Sequence, residues 1–181
     1  MTRSDFLNCC TLGMCSCVAV TSLTEPAAAQ TANPAFDELK WKVDAAQKRF
    51  AKLVGLLDQH LDAAAKKKLF ESLGRECSQD YKDLVAKYRN NIKGFLGHIQ
   101  SQWVEKVDYD EKAGTIRIVD KSPTCTCPLV KQGVTPPDFC NCTLGWQKAT
   151  YSAILGRPVE AELEESILRG GTRCVFRIRV A

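Results

Sequence analysis

At Val104 the spacing of apolar residues changes period, and this change limits the fold more than any figure of composition. Upstream, Phe36, Leu39, Val43, Ala46, Phe50, Leu53 and Leu57 recur at steps of three and four, which lays one apolar stripe along a helix of about six turns. That stripe reads as core packing. Asn33-Pro34 supplies a capping side chain and a proline for the first turn. Asp62 can cap a second helix that runs through Leu73 and stops at Gly74, and two shorter helices fill 77–90 and 91–103. Downstream the period is two. The segment "VEKVDYDEKAGTIRIVD" (104–120) reads as two strands around a turn at Glu111 to Gly114. Residues 143–156 read as a helix, with Leu144, Tyr151, Ile154 and Leu155 for burial and Gly156 as its stop. "PVEAELEESIL" and "RCVFRIRV" then pair as a hairpin through the turn at Arg169 to Thr172. The expected fold is α+β: N-terminal helices followed by an antiparallel sheet carrying one helix.

A chain of 181 residues is long enough for one domain with a real core and short for two. Residues 31–181 are read as a single domain, with a helical half (31–102) and a cysteine-rich sheet half (103–181). The net charge is only +4, and acids interleave with the lysines. The run Lys66-Lys67-Lys68 reads as a solvated helix face, and nucleic acid is not an expected partner. Residues 1–30 have the layout of an export signal: Arg3, an apolar stretch from Phe6 to Val20, and a small-residue site at Ala27-Ala28-Ala29. "TRSDFLN" resembles the twin-arginine export motif, with Ser4 in place of the second arginine and Asn8 in place of the lysine. The implied location is exported and periplasmic; the other reading is a cytoplasmic protein with a hydrophobic leader. The apolar stretch is too short for a comfortable membrane span, so no membrane contact is expected beyond the leader. Cys9, Cys10, Cys15 and Cys17 fall within it and are set aside.

The other six of the ten cysteines carry the chemistry. "CTCPLVKQGVTPPDFCNC" places Cys125, Cys127, Cys140 and Cys142 on two short loops, with Pro128 and Pro136-Pro137 stiffening the flanks. Four such sulfurs suit Zn²⁺ or an iron–sulfur cluster at tetrahedral geometry. Disulfides are the competing reading, and would run between the pairs or to Cys77 or Cys174, because cysteines one residue apart rarely bridge each other. In the last strand Cys174 shares its phase with Phe176, Ile178 and Val180, so it faces the core and brings a fifth sulfur. Cys77 in "GREC" reads as a buried, inert thiol, since neither His60 nor His98 stands in a catalytic motif. No Ser-His-Asp pattern, phosphate loop or carboxylate pair is legible. Glu160, Glu162, Glu164 and Glu165 read as the solvent side of a strand.

Cys140, Gly145-Trp146, Leu155-Gly156, the acidic strand Glu160–Glu165, Gly170-Gly171 and Cys174-Val175-Phe176-Arg177-Ile178 succeed one another over about a quarter of the chain. In that order they resemble the end of the 4-vinyl reductase-type, hydrocarbon-binding domain. The same tail is similar to L-2-amino-thiazoline-4-carboxylate hydrolase-like proteins through its Cys-x-Phe ending. The first resemblance implies an α+β pocket for a small, mostly apolar molecule, with a structural zinc held by cysteines and one glutamate in sensor members. Cys140 and Cys174 match the outer zinc-ligand positions, whereas Ser166 stands where the middle cysteine is expected and Leu163 where the acid is expected. Cys125, Cys127 and Cys142 are extra sulfurs available in their place. The expected function is a small-molecule-binding domain whose zinc ties the 125–142 loop to the last strand, with Trp146, Tyr151 and Phe176 lining the ligand pocket. The alternatives are a hydrolase of the thiazoline-carboxylate type working through an activated water or Cys77, an iron–sulfur protein, and an exported domain stapled by disulfides.

Overall fold

The computed structural model describes residues 33–180, so the export-signal-like leader lies outside the described residues. Helices α1 (Pro34–Leu57), α2 (Ala63–Ser78), α3 (Lys82–Lys87) and α4 (Ile92–Gln102) come first. Strands β1 (Val104–Asp110) and β2 (Thr115–Asp120), helix α5 (Asn141–Leu155), and strands β3 (Val159–Glu165) and β4 (Val175–Val180) follow. The strands pair antiparallel in the order β1-β2-β4-β3. The fold is therefore α+β, with helices on the N-terminal side and one helix within the sheet half. No described helix is long and apolar enough to cross a membrane.

Local chemistry sets the boundaries. The Asp62 carboxylate accepts the Ala65 N–H at 2.7 Å and caps α2, and Asn91 Oδ1 accepts the Gly94 N–H at 3.0 Å at the start of α4. Gly156, at φ 68°, closes α5 in a left-handed conformation that other residues adopt at a cost. In the β1–β2 turn the Asp110 carboxylate accepts the N–H groups of Lys112 and Ala113.

The sheet is two-faced. Ile116, Ile118, Phe176, Ile178, Val159 and Ala161 bury against α4 and α5. On the other side Glu164 pairs with Arg117 and Arg177, and Glu162 pairs with Arg179 at 2.8 Å. Glu162 and Glu164 thus form the solvent side expected of them. Glu165 departs from it: a register shift turns its carboxylate to accept the N–H groups of Thr172 and Arg173, at 2.6 and 3.1 Å, which closes the β3–β4 connection.

Three expectations are corrected. Gly74 does not end α2; the helix continues to Ser78, and Gly74 is where α5 crosses it. The α1 stripe is core only in the second half of the helix, where Phe50, Val54 and Leu57 pack. Leu39 and Val43 are 59% and 46% exposed, because the described sheet half reaches only the later turns of that face, and in those turns Leu53 is still 55% exposed, with Val54 buried in its place. Nor is Lys66 solvated: its side chain is 14% exposed and pairs with Asp58 and Asp138, pinning the segment before α5 to the start of α2.

Candidate functional site

The loop 121–136 leaves β2 without regular structure and is held by the helical half. Gln47 Nε2 donates to the Pro128 carbonyl at 2.8 Å, and Lys131 pairs with Asp44. Beyond the loop, Phe139 is 2% exposed and sets its ring edge-on to Phe50 and Phe70, at centroid distances of 4.8 and 5.3 Å. Val130 and Val54 complete this second core. Between the loop, the start of α5 and the far ends of β3 and β4 lies a cavity of about 80 Å³.

Five of the seventeen residues that line it are cysteines. Cys125, Cys127, Cys140, Cys142 and Cys174 all face the cavity, so the five sulfurs singled out in the sequence meet at one place. Leu163 and Ser166 face it too, and Cys140 Sγ lies 3.0 Å from Ser166 Oγ. Cys77, expected to be a buried and inert thiol, reaches the Cys142 side chain across the α2–α5 contact. The six described cysteines are all free thiols in this structure. Burial raises the Cys127 and Cys140 thiols and pushes Cys174 up to about 11. Cys142 is pushed up to about 12, first by burial and then by the thiols of Cys77 and Cys127. These four thiols hold their protons at neutral pH and are weak nucleophiles.

The donor chemistry suits a soft metal, but the arrangement does not form a cage. Among the described residues no three of His, Cys, Asp and Glu stand together as a metal-ligand set. The sulfurs line the cavity as a wall. Neither histidine lines it, and His98 stacks on Tyr88 at 5.4 Å instead.

The aromatic residues expected in the ligand pocket separate. Phe176 lines the cavity, whereas Trp146 and Tyr151 lie on the opposite side of Asp120, around a void of about 10 Å³. Tyr151 is 1% exposed and belongs to the main core. Helix α5 turns it toward Phe95, 5.5 Å away, because α5 packs flat on the sheet.

Asp120 is the residue that the sequence reading missed. In "TIRIVD" it shares its phase with Ile116 and Ile118, so the strand alternation aims a carboxylate at the buried face. It lines the thiol cavity, the small void and an outer cleft beside Trp103. Burial pushes its carboxyl up to about 6. An unfolded aspartate ionises near 3.8, so between about pH 4 and pH 6 the native state holds more protons and stability falls as pH rises. Asp120→Asn is expected to abolish that slope and to be more stable at pH 7 by about 2 kcal/mol, allowing for partial exposure of the carboxyl. Urea unfolding of both proteins at pH 4.5 and pH 7 checks this; parallel pH profiles would contradict it.

No family model matches the chain, and no curated protein matches it. Among solved structures it is similar to a trafficking protein particle complex subunit 3 from Naegleria fowleri, covalently bound to palmitic acid. The identity is 15%, the match covers 78% of this chain and 96% of that one, and the TM-score is 0.53. A weaker likeness, with a TM-score of 0.44 at 15% identity, is to the phenol-responsive sensory domain of the transcription activator PoxR, covering 72% of this chain and 74% of that one. At such identity, the first likeness speaks for the fold alone.

Proposed function

We propose that this chain is a small-molecule-binding domain that takes a compact apolar ligand between the cysteine loop and the last two strands. The observation that carries the reading is the cavity of about 80 Å³, lined by five cysteines and by Val130, Phe139 and Phe176. Close-packed interiors leave few voids larger than a water, and a concave apolar site with few polar groups is the usual form of a ligand pocket. The fold it has in common with a subunit that holds palmitic acid covalently supports the reading.

Titration of the protein with butan-1-ol, followed by NMR of the 121–142 amides, is expected to give saturable shifts. Val130→Phe fills one wall and is expected to weaken binding at least about tenfold. Shifts that never saturate, or an undiminished affinity in the filled variant, would overturn the proposal.

A further inference from the structure

We infer that Asp120 is the polar anchor of the cavity and that the ligand carries a primary ammonium group on a short apolar chain. This rests on the binding function proposed above and names the class of molecule bound.

Strand geometry fixes the anchor. The Asp120 backbone N–H donates to the Cys174 carbonyl at 3.0 Å, which holds the end of β2 against the start of β4 at the cavity wall. Among the described residues no hydrogen bond or ion pair engages the Asp120 carboxylate. Nearby cations are committed elsewhere. Lys121 Nζ donates to the carbonyls of Gln100 and Gln102, at 2.9 and 3.2 Å, and Arg173 lies 3.6 Å from Glu105. Arg117 pairs with Glu164 on the opposite face of the sheet. The titratable groups that face Asp120 are Cys174 and Tyr151, both held neutral by burial. A carboxylate so placed is partly desolvated with no protein cation beside it, and the partner it lacks is a cation.

A second acceptor points the same way. Gln147 is 6% exposed, its Oε1 has no donor, and it lines the small void that Asp120 also lines. Two acceptors without a donor call for a donor-rich head group, and an ammonium offers three N–H bonds and a positive charge. The sulfur and aromatic wall beyond Asp120 takes methylenes. The outer cleft that Asp120 shares with Trp103, Ser122 and Thr126 gives the head group a polar approach.

The test compares butan-1-amine with butan-1-ol, two probes of nearly the same shape, on the full chain at pH 7.5 by NMR titration. In the unmodified protein the amine is expected to bind at least about tenfold more tightly. In Asp120→Asn that preference disappears, the ratio of the two affinities falling to about one. Because this variant is expected to be the more stable one, its loss of amine binding does not report unfolding. Lowering the pH of the unmodified protein to 4.5 protonates Asp120 and is expected to erase the preference without any substitution. Equal binding of both probes, binding of the alcohol alone, or a preference that survives in Asp120→Asn overturns this inference and leaves the binding function standing. Failure of both probes overturns the two together.

Discussion

Gly145→Ala is expected to destabilise the fold by about 4 kcal/mol, beyond the usual range for a single added methyl group. Helices α2 and α5 cross where each presents a glycine to the other's backbone. A Cβ on Gly145 would lie 1.9 Å from the Glu71 carbonyl oxygen, and one on Gly74 would lie 1.8 Å from that of Cys142. Neither oxygen is the end of a flexible side chain, so the helices themselves must separate. Separation would also pull Cys77 from Cys142 and open the thiol cavity at its base. Gly74→Ala should behave alike, and the double variant should cost less than the sum of the two, since the first separation makes room for the second. Urea unfolding measures all three. A loss below about 1 kcal/mol for Gly145→Ala would mean that the helices pack less closely than described.

Phe139→Ala is the second substitution with a large effect, about 3–5 kcal/mol. Its ring is held edge-on by Phe50 and Phe70 and closes the space between the helical half and the cysteine loop. Little can collapse into the vacated space. The neighbours come from α1, α2 and the loop, and Lys66 holds the carboxylate of the adjacent Asp138. Stability should therefore fall, and the loop should loosen. Thiol labelling in the native state should reach Cys125 and Cys127 faster in Phe139→Ala than in the unmodified protein, while Cys174 changes less. Uniform acceleration at all three would indicate global unfolding and contradict a local role for the ring.

The change of period at Val104 was enough to divide the helices from the strands, because alternation and the 3.6-residue repeat are both consequences of burying one face. The phase of Cys174 followed from the same rule. Asp120 was equally legible, in step with Ile116 and Ile118, but a polar residue at a strand end is easily read as the start of a loop. Gly74 misled because glycine at a helix end and glycine at a helix crossing look alike in one chain; only the partner, Gly145, distinguishes them. The α1 stripe misled for a related reason, since periodicity tells which face is apolar and not how much of it is covered. That the cysteines form a wall depends on loop geometry that no spacing rule contains.

The order β1-β2-β4-β3 has a consequence for how the molecule comes into being. Strand β4 is made after the others, yet it lies in the interior of the sheet and bonds to strands on both sides. During synthesis β2 and β3 must wait unpaired along facing edges until β4 arrives between them. The helices can assemble as they emerge, but the cavity, which needs Cys174 and Phe176, cannot. The cavity should therefore close only after the chain reaches Val180, so a nascent chain halted before β4 would hold its helices and the β1–β2 hairpin but not the cavity.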